Sequence, residues 1–132
     1  MRPLDSKRNK TDAIIRSFNV ALMSDAKWVK LLSNLSEIAE DNLKTTVKLV
    51  WDKSPRSIRI DSDIQFGFDY YISSMESMIS GYPKGFYDYR ELEWIEVSAS
   101  SAVLEHIEAK LKSLGQFETE FREKSIRIYG YK

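Results

Sequence analysis

The chain has 132 residues, 20 of them basic and 20 acidic, so its formal net charge is zero. Hydrophobic residues make up 42% and charged residues 30%, which excludes a composition-driven disordered chain and fits an ordinary globular protein. There is no cysteine, which rules out disulfides, thiolate catalysis and cysteine-based zinc sites.

This length suits a single domain, residues 1–132, with a core that needs no staples. No apolar run approaches the ~20 residues of a membrane helix. The basic start MRPLDSKRNK has no apolar run behind it, because Arg16 and Asn19 interrupt the next segment. The expectation is a cytoplasmic protein that does not contact a membrane.

The zero charge hides a pattern. Residues 1–60 carry 12 basic and 7 acidic residues, residues 61–108 carry 2 and 10, and residues 109–132 carry 6 and 3. The middle third therefore has a net charge of −8. If that segregation persists in space, the acidic face repels nucleic acid and attracts a basic partner. Direct nucleic-acid binding is not expected. The basic N-terminal third lacks aromatics in register, and the pI is near 6.6.

In chain order, Met1–Lys10 is polar and basic, and is expected to be flexible. Thr11–Met23 places Ile14, Ile15, Phe18, Ala21 and Leu22 at helical spacing, with Thr11 or Asp12 as cap. From Asp25 to about Glu40, Trp28, Leu31, Leu32, Leu35 and Ile38 make an amphipathic stripe, separated from the first helix by as little as a kink. Leu43–Trp51 alternates as a strand, Asp52–Arg56 is turn chemistry, and Ser57–Asp61 resumes the alternation as a hairpin with a basic outer face of Lys48, Lys53, Arg56 and Arg59. Asp61–Phe68 is ambiguous. Asp69 can cap a helix with Tyr71, Ile72, Met75, Met78 and Ile79 that ends at Gly81.

After a turn at Pro83 and Gly85, Tyr89–Val97 reads as a strand. Tyr89, Glu91, Glu93, Ile95 and Val97 share one parity, and Arg90, Leu92, Trp94 and Glu96 the other. Both faces are mixed, which suits a strand half covered and half used for contact. Ser98–Leu114 is a helix capped by Ser98, Ser100 or Ser101 and ended by Gly115. Gln116–Tyr131 is a second hairpin turning at Arg122–Lys124, with Ile126 and Ile128 on the return strand. The order ααββαβαββ predicts an α+β domain: a mainly antiparallel sheet of about five strands with helices packed on one face.

The chemistry-bearing residues concentrate in one stretch. Tyr87, Asp88, Tyr89, Glu91, Glu93, Trp94 and Glu96 combine large aromatics with carboxylates, the composition of a protein-binding surface that selects a basic partner. Trp94 can equally belong to the core, and a solvated acidic strand edge is the plainer reading of the carboxylates. Glu91 and Glu93 on one strand face can also do acid–base or metal work. A chain this small has little material for the cleft such work needs. His106 is the sole histidine, beside Glu105 and on the flank of its helix, and reads as a surface residue. The five glycines are scattered, with no phosphate loop and no other catalytic motif. No cofactor or metal is implied, and no enzymatic activity is expected.

The segment F-Y-D-Y-R-E-L-E-W-I-E-V, followed by a helix and the strand I-R-I-Y-G-Y, resembles a family of small bacterial cytosolic domains of unassigned function. Those domains carry a tryptophan-bearing early helix, matched by Lys27-Trp28, and a Y-x-E-[LI]-E-W-[IL]-E strand. The resemblance spans Ala26 to Tyr131. The general build is also similar to that of immunity proteins of bacterial toxin systems, including contact-dependent growth inhibition. That resemblance implies a non-enzymatic protein that binds and neutralises a cognate toxin domain, often a basic nuclease. The zero net charge departs from the strongly acidic members, and only the middle third fits them. The alternatives are an adaptor or self-associating domain, with this strand pairing edge to edge in a homodimer, and a small carboxylate-dependent enzyme.

Overall fold

The computed structural model describes residues 3–38, 44–58, 74–76 and 86–132. The described elements are α1 (Pro3–Ser17), α2 (Asp25–Ile38), β1 (Lys44–Leu49), β2 (Arg56–Ser57), β3 (Ser74–Glu76), β4 (Phe86–Asp88), a 3-10 turn (Tyr89–Glu91), β5 (Leu92–Ser98), α3 (Ser101–Leu114), β6 (Thr119–Arg122) and β7 (Ser125–Tyr129). The main sheet has five strands in the order β2-β1-β5-β7-β6, and every pairing is antiparallel. β3 and β4 form a separate two-stranded antiparallel pair. The fold is α+β, as the element pattern predicts.

The core follows from the two amphipathic helices. Trp28, Leu31, Leu32, Leu35 and Ile38 of α2, with Ile107 and Leu111 of α3, join Val47 and Leu49 of β1, Ile95 and Val97 of β5, and Ile126 and Ile128 of β7 in one buried cluster. Burying such side chains contributes about 1.5–3 kcal/mol each. Ser24 accepts a bond from the Lys27 amide at the start of α2, and Ser100 accepts one from the Val103 amide at the start of α3. Gly115 ends α3 at φ 147°, a conformation that side chains with a Cβ rarely adopt.

A bulge in β5 resolves the mixed parity of its sequence. Lys48 lies opposite Trp94, yet the next residue, Leu49, lies opposite Leu92. Glu93 is the extra residue, and its carbonyl accepts from both the Gly130 and Tyr131 amides, at 2.6 and 3.3 Å. The slip lets Leu92, Ile95 and Val97 all reach the core, where each is fully buried. Trp94 and Glu96 are left on the opposite side. The strand is thus divided cleanly between core and second face rather than mixed on both.

Several boundaries differ from the sequence expectation. α1 starts at Pro3, an imino acid suited to a first helical position, and stops at Ser17. Ala21 and Leu22 are extended rather than helical: the Val20 amide donates to Lys132 and the Leu22 amide to Gly130, so the chain terminus recruits this segment. More than a kink therefore separates the two helices. Of the helix expected between Asp69 and Gly81, the described part, Ser74–Glu76, is strand paired with Phe86–Asp88. Apolar residues at Ile72, Met75 and Ile79 satisfy a helical period, but the neighbouring aromatic and β-branched residues accept a strand equally well, and backbone pairing decides. The strand expected from Tyr89 begins at Leu92. Asp61–Phe68, Arg59 and the Pro83–Gly85 turn lie outside the described residues.

Candidate binding surface

The second face of the sheet carries a charge ladder built by cross-strand register. Glu96 lies opposite Arg127, and Arg127 opposite Glu120. Trp94 lies opposite both Lys48 and Tyr129. Lys48 Nζ pairs with Glu93 Oε1 at 2.8 Å. Arg127 Nε pairs with Glu96 Oε1 at 3.1 Å, and Arg122 Nε approaches the same oxygen at 3.6 Å. The Arg127 guanidinium also sits 3.7 Å from the Trp94 ring centroid, a cation–π stack. Tyr129 donates its hydroxyl to Glu120 at 2.8 Å, which holds that exposed carboxyl below its ordinary range, with Arg122 and Arg127 assisting.

The candidate residues divide between this face and the interior. Glu93 and Glu96 are partly exposed on it, while Trp94 is 6% exposed beneath Arg127. Asp88 lies at the end of β4, half-exposed and 3.9 Å from Arg90 Nε. Tyr89 is fully buried in the core and presents no surface to a partner. Glu91 is 7% exposed. For Tyr87 only the backbone, paired with Met75, is described.

Glu91 organises the turn ahead of β5. Its Oε1 accepts from Trp51 Nε1 at 2.9 Å, its Oε2 from the Asp88 amide at 2.8 Å, and its carbonyl from the Val50 amide at 2.8 Å. Tyr131 donates its hydroxyl to the Arg90 carbonyl at 2.8 Å. Glu91 and Glu93 therefore share no strand face: one is tied down in the turn, and the other is engaged by Lys48 across the sheet. Among the described residues no group of three His, Asp or Glu side chains could hold a metal. His106 is exposed on α3.

A second electrostatic cluster lies at the junction of α1, α2 and the turn. Arg90 hydrogen-bonds Asp12 of α1 and lies near Asp88. The Asp12 bond holds the Arg90 guanidinium even more firmly protonated than usual. Burial raises the Asp25 carboxyl above its ordinary range, Asp88 adds repulsion, and Arg90 opposes both. Burial likewise pushes the Tyr131 phenol up.

Local sequence did not disclose the cations. The middle third is acidic along the chain, but on this face Lys48 comes from the first hairpin, and Arg122 and Arg127 from the last. The acidity of β5 is largely matched in space. The parity of β7, with Ile126 and Ile128 buried, was the available signal that Arg127 and Tyr129 share the other face with Glu96 and Trp94. The basic hairpin edge is also partly engaged, since Arg56 Nε pairs with Asp52 Oδ2 at 2.5 Å. β5 is paired on both sides, by β1 and β7, so it has no free edge for a homodimer. No described helix is long and apolar enough to cross a membrane. Comparison with protein-family models, with curated proteins and with solved structures finds no match.

Proposed function

We propose that the protein is a non-enzymatic, cytoplasmic immunity protein of a bacterial toxin system, which binds a cognate toxin domain and blocks it. The binding surface in this reading is the second face of the sheet, with Glu93, Trp94 and Glu96 joined by Arg127 and Tyr129, while Asp88 stands apart in the cluster with Arg90 and Asp12. The observation that carries it is the Arg127–Trp94 stack inside a ring of partly exposed charges. Arginine, tyrosine and tryptophan bounded by polar groups make up the usual anatomy of binding hot spots. Because the face presents both signs, the partner it fits carries complementary anions and cations rather than a purely basic surface. Tyr89 and Glu91 support this face from within.

Co-expression with the toxin encoded beside the gene tests the reading. A stable complex and protection of the host are expected. Glu96→Lys places a third cation beside Arg122 and Arg127 and is expected to weaken the complex by roughly tenfold or more. Absence of both complex and protection overturns the proposal, whereas a complex unaffected by Glu96→Lys and Arg127→Ala moves the interface elsewhere.

A further inference from the structure

β6 is an edge of the main sheet, and among the described residues no strand covers its outer side. Its Phe121 is 54% exposed, a large apolar side chain on a strand edge. Phe121 and Thr119 lie opposite Ile126 and Ile128, so they point to the helix side of the sheet. There they border a groove of about 540 Å³ lined by Leu22, Lys27, Leu111 and Phe117. Glu120 and Arg122 lie opposite Arg127 and Ser125, on the other side, and both are about half-exposed.

The hydrogen-bond pattern fixes which backbone groups are free. The Tyr129 amide donates to the Glu118 carbonyl. In an antiparallel ladder, bonding alternates from residue to residue. Glu118, Glu120 and Arg122 thus turn their backbone groups toward β7, while Thr119 and Phe121 turn theirs outward.

We propose that this edge is a self-association site, with β6 of one copy pairing antiparallel to β6 of a second copy about a two-fold axis through Phe121. The sequence T-E-F-R selects that register. Centred on Phe121, the pairing sets Glu120 of each copy opposite Arg122 of the other, and the two Phe121 residues exchange backbone bonds. Centring on Glu120 would oppose the two Glu120 carboxylates and face the bonded, inward backbone groups together. Centring on Arg122 would oppose two guanidiniums. Opposite charges directly across a strand pair stabilise it, and like charges destabilise it. On the helix side, Phe121 of both copies then adds to the apolar part of each groove, Leu111 and Phe117, which Lys27, Glu108 and Lys112 border. The occupant is a second copy because the strand complements itself in both charge and backbone pattern. The edge is short, so the dimer is weak and concentration-dependent. This inference stands on the sheet edge and does not depend on the proposed toxin binding.

Sedimentation velocity of the full chain, from micromolar to near-millimolar concentration, tests it. A monomer–dimer equilibrium is expected. Glu120→Arg opposes Arg122 twice per dimer and is expected to weaken association roughly tenfold or more. Adding Arg122→Glu restores the complementarity and is expected to return most of it. A second measurement does not depend on those variants folding. The chain has no cysteine, so Phe121→Cys adds a single thiol. A bonded antiparallel pair places Cα atoms ~5.5 Å apart, within disulfide reach. Under mild oxidation Phe121→Cys is expected to cross-link into dimers, while Ser113→Cys on exposed α3 stays monomeric. A chain that remains monomeric throughout, a dimer that Glu120→Arg leaves unchanged, a double exchange that restores nothing, or equal cross-linking by the two cysteine variants overturns the proposal.

Discussion

The Trp51 indole N–H donates to Glu91 Oε1 at 2.9 Å, and this bond ties the end of the first hairpin to the turn that launches β5. The other Glu91 oxygen accepts from the Asp88 amide. Glu91→Ala leaves both donors without their acceptor in a largely buried setting. A loss of about 2–3 kcal/mol of unfolding free energy is expected, since hydrogen bonds to charged groups are the stronger kind. Glu91→Gln keeps one acceptor oxygen and is expected to lose about half as much. Urea unfolding followed by tryptophan fluorescence measures both. A Glu91→Ala variant as stable as the parent would remove the structural role assigned to this carboxylate.

Gly130 is expected to tolerate no side chain. A Cβ there would lie 2.5 Å from the Leu92 carbonyl oxygen and 2.9 Å from Cζ2 of Trp28. The first contact is backbone, held by the bulge at Glu93, and cannot swing away. Gly130→Ala should therefore cost about 2–3 kcal/mol, in the range of overpacked cores. The matched control is Gly115→Ala, which meets nothing within 4 Å among the described residues but sits at φ 147°. Its cost is backbone strain, on the order of 1–3 kcal/mol. High-resolution structures of the two variants distinguish the mechanisms: displacement of β5 from β7 is expected only for Gly130→Ala.

The division of labour along β5 explains what could be read in advance. Trp28, Leu31, Leu32 and Leu35 recur at helical spacing and were legible as a core face. So were the second hairpin and the Gly115 end of α3, because glycine ends and alternation are local signals, whereas three serines, Ser98, Ser100 and Ser101, were open as the cap that Ser100 supplies. The bulge at Glu93 was not legible. It depends on Gly130 and Tyr131, distant in sequence, presenting two amides to one carbonyl. Without it, Leu92 and Ile95 fall on opposite parities, and the strand looks mixed on both faces. The same non-locality hid the site. Tyr89 has the composition of a contact residue but closes the core, and the cations that answer Glu93 and Glu96 come from β1, β6 and β7. Ser74–Glu76 failed for a related reason, since its partner strand, not its own period, fixes its conformation.

Thr45 offers a stabilising change. It is buried on β1 opposite Val97, and its Oγ1 has no hydrogen-bond partner among the described residues. A buried hydroxyl without a partner is unfavourable, and valine has nearly the same shape. Thr45→Val is expected to raise stability by about 1 kcal/mol, while Thr45→Ala should lower it by opening a small cavity. Opposite signs for the two variants in thermal unfolding are the expected signature. Destabilisation by both would mean that the hydroxyl has a partner, such as a bound water.

The Asp25 carboxyl gives a pH dependence with a definite sign. Burial raises it from 3.8, Asp88 adds repulsion, and Arg90 partly offsets both. The folded chain therefore holds this proton more tightly than the unfolded chain does. Above the unfolded value and up to the raised folded value, the folded state binds more protons, so the Asp25 contribution to stability falls as pH rises. Most carboxylates in ion pairs act in the opposite sense, so the total stability need not fall. The difference between Asp25→Asn and the parent isolates the effect, because the substituted amide never ionises. That difference is expected to move in favour of the variant as pH climbs from about 4 toward neutrality, then to level off. Asp25 also stands in the first turn of α2, where its charge is favourable to the helix dipole. If the helix term were dominant, the difference would move against the variant over the same window, and the assignment of Asp25 as a desolvated carboxylate would be wrong. Urea unfolding at matched ionic strength across that range reads the sign directly.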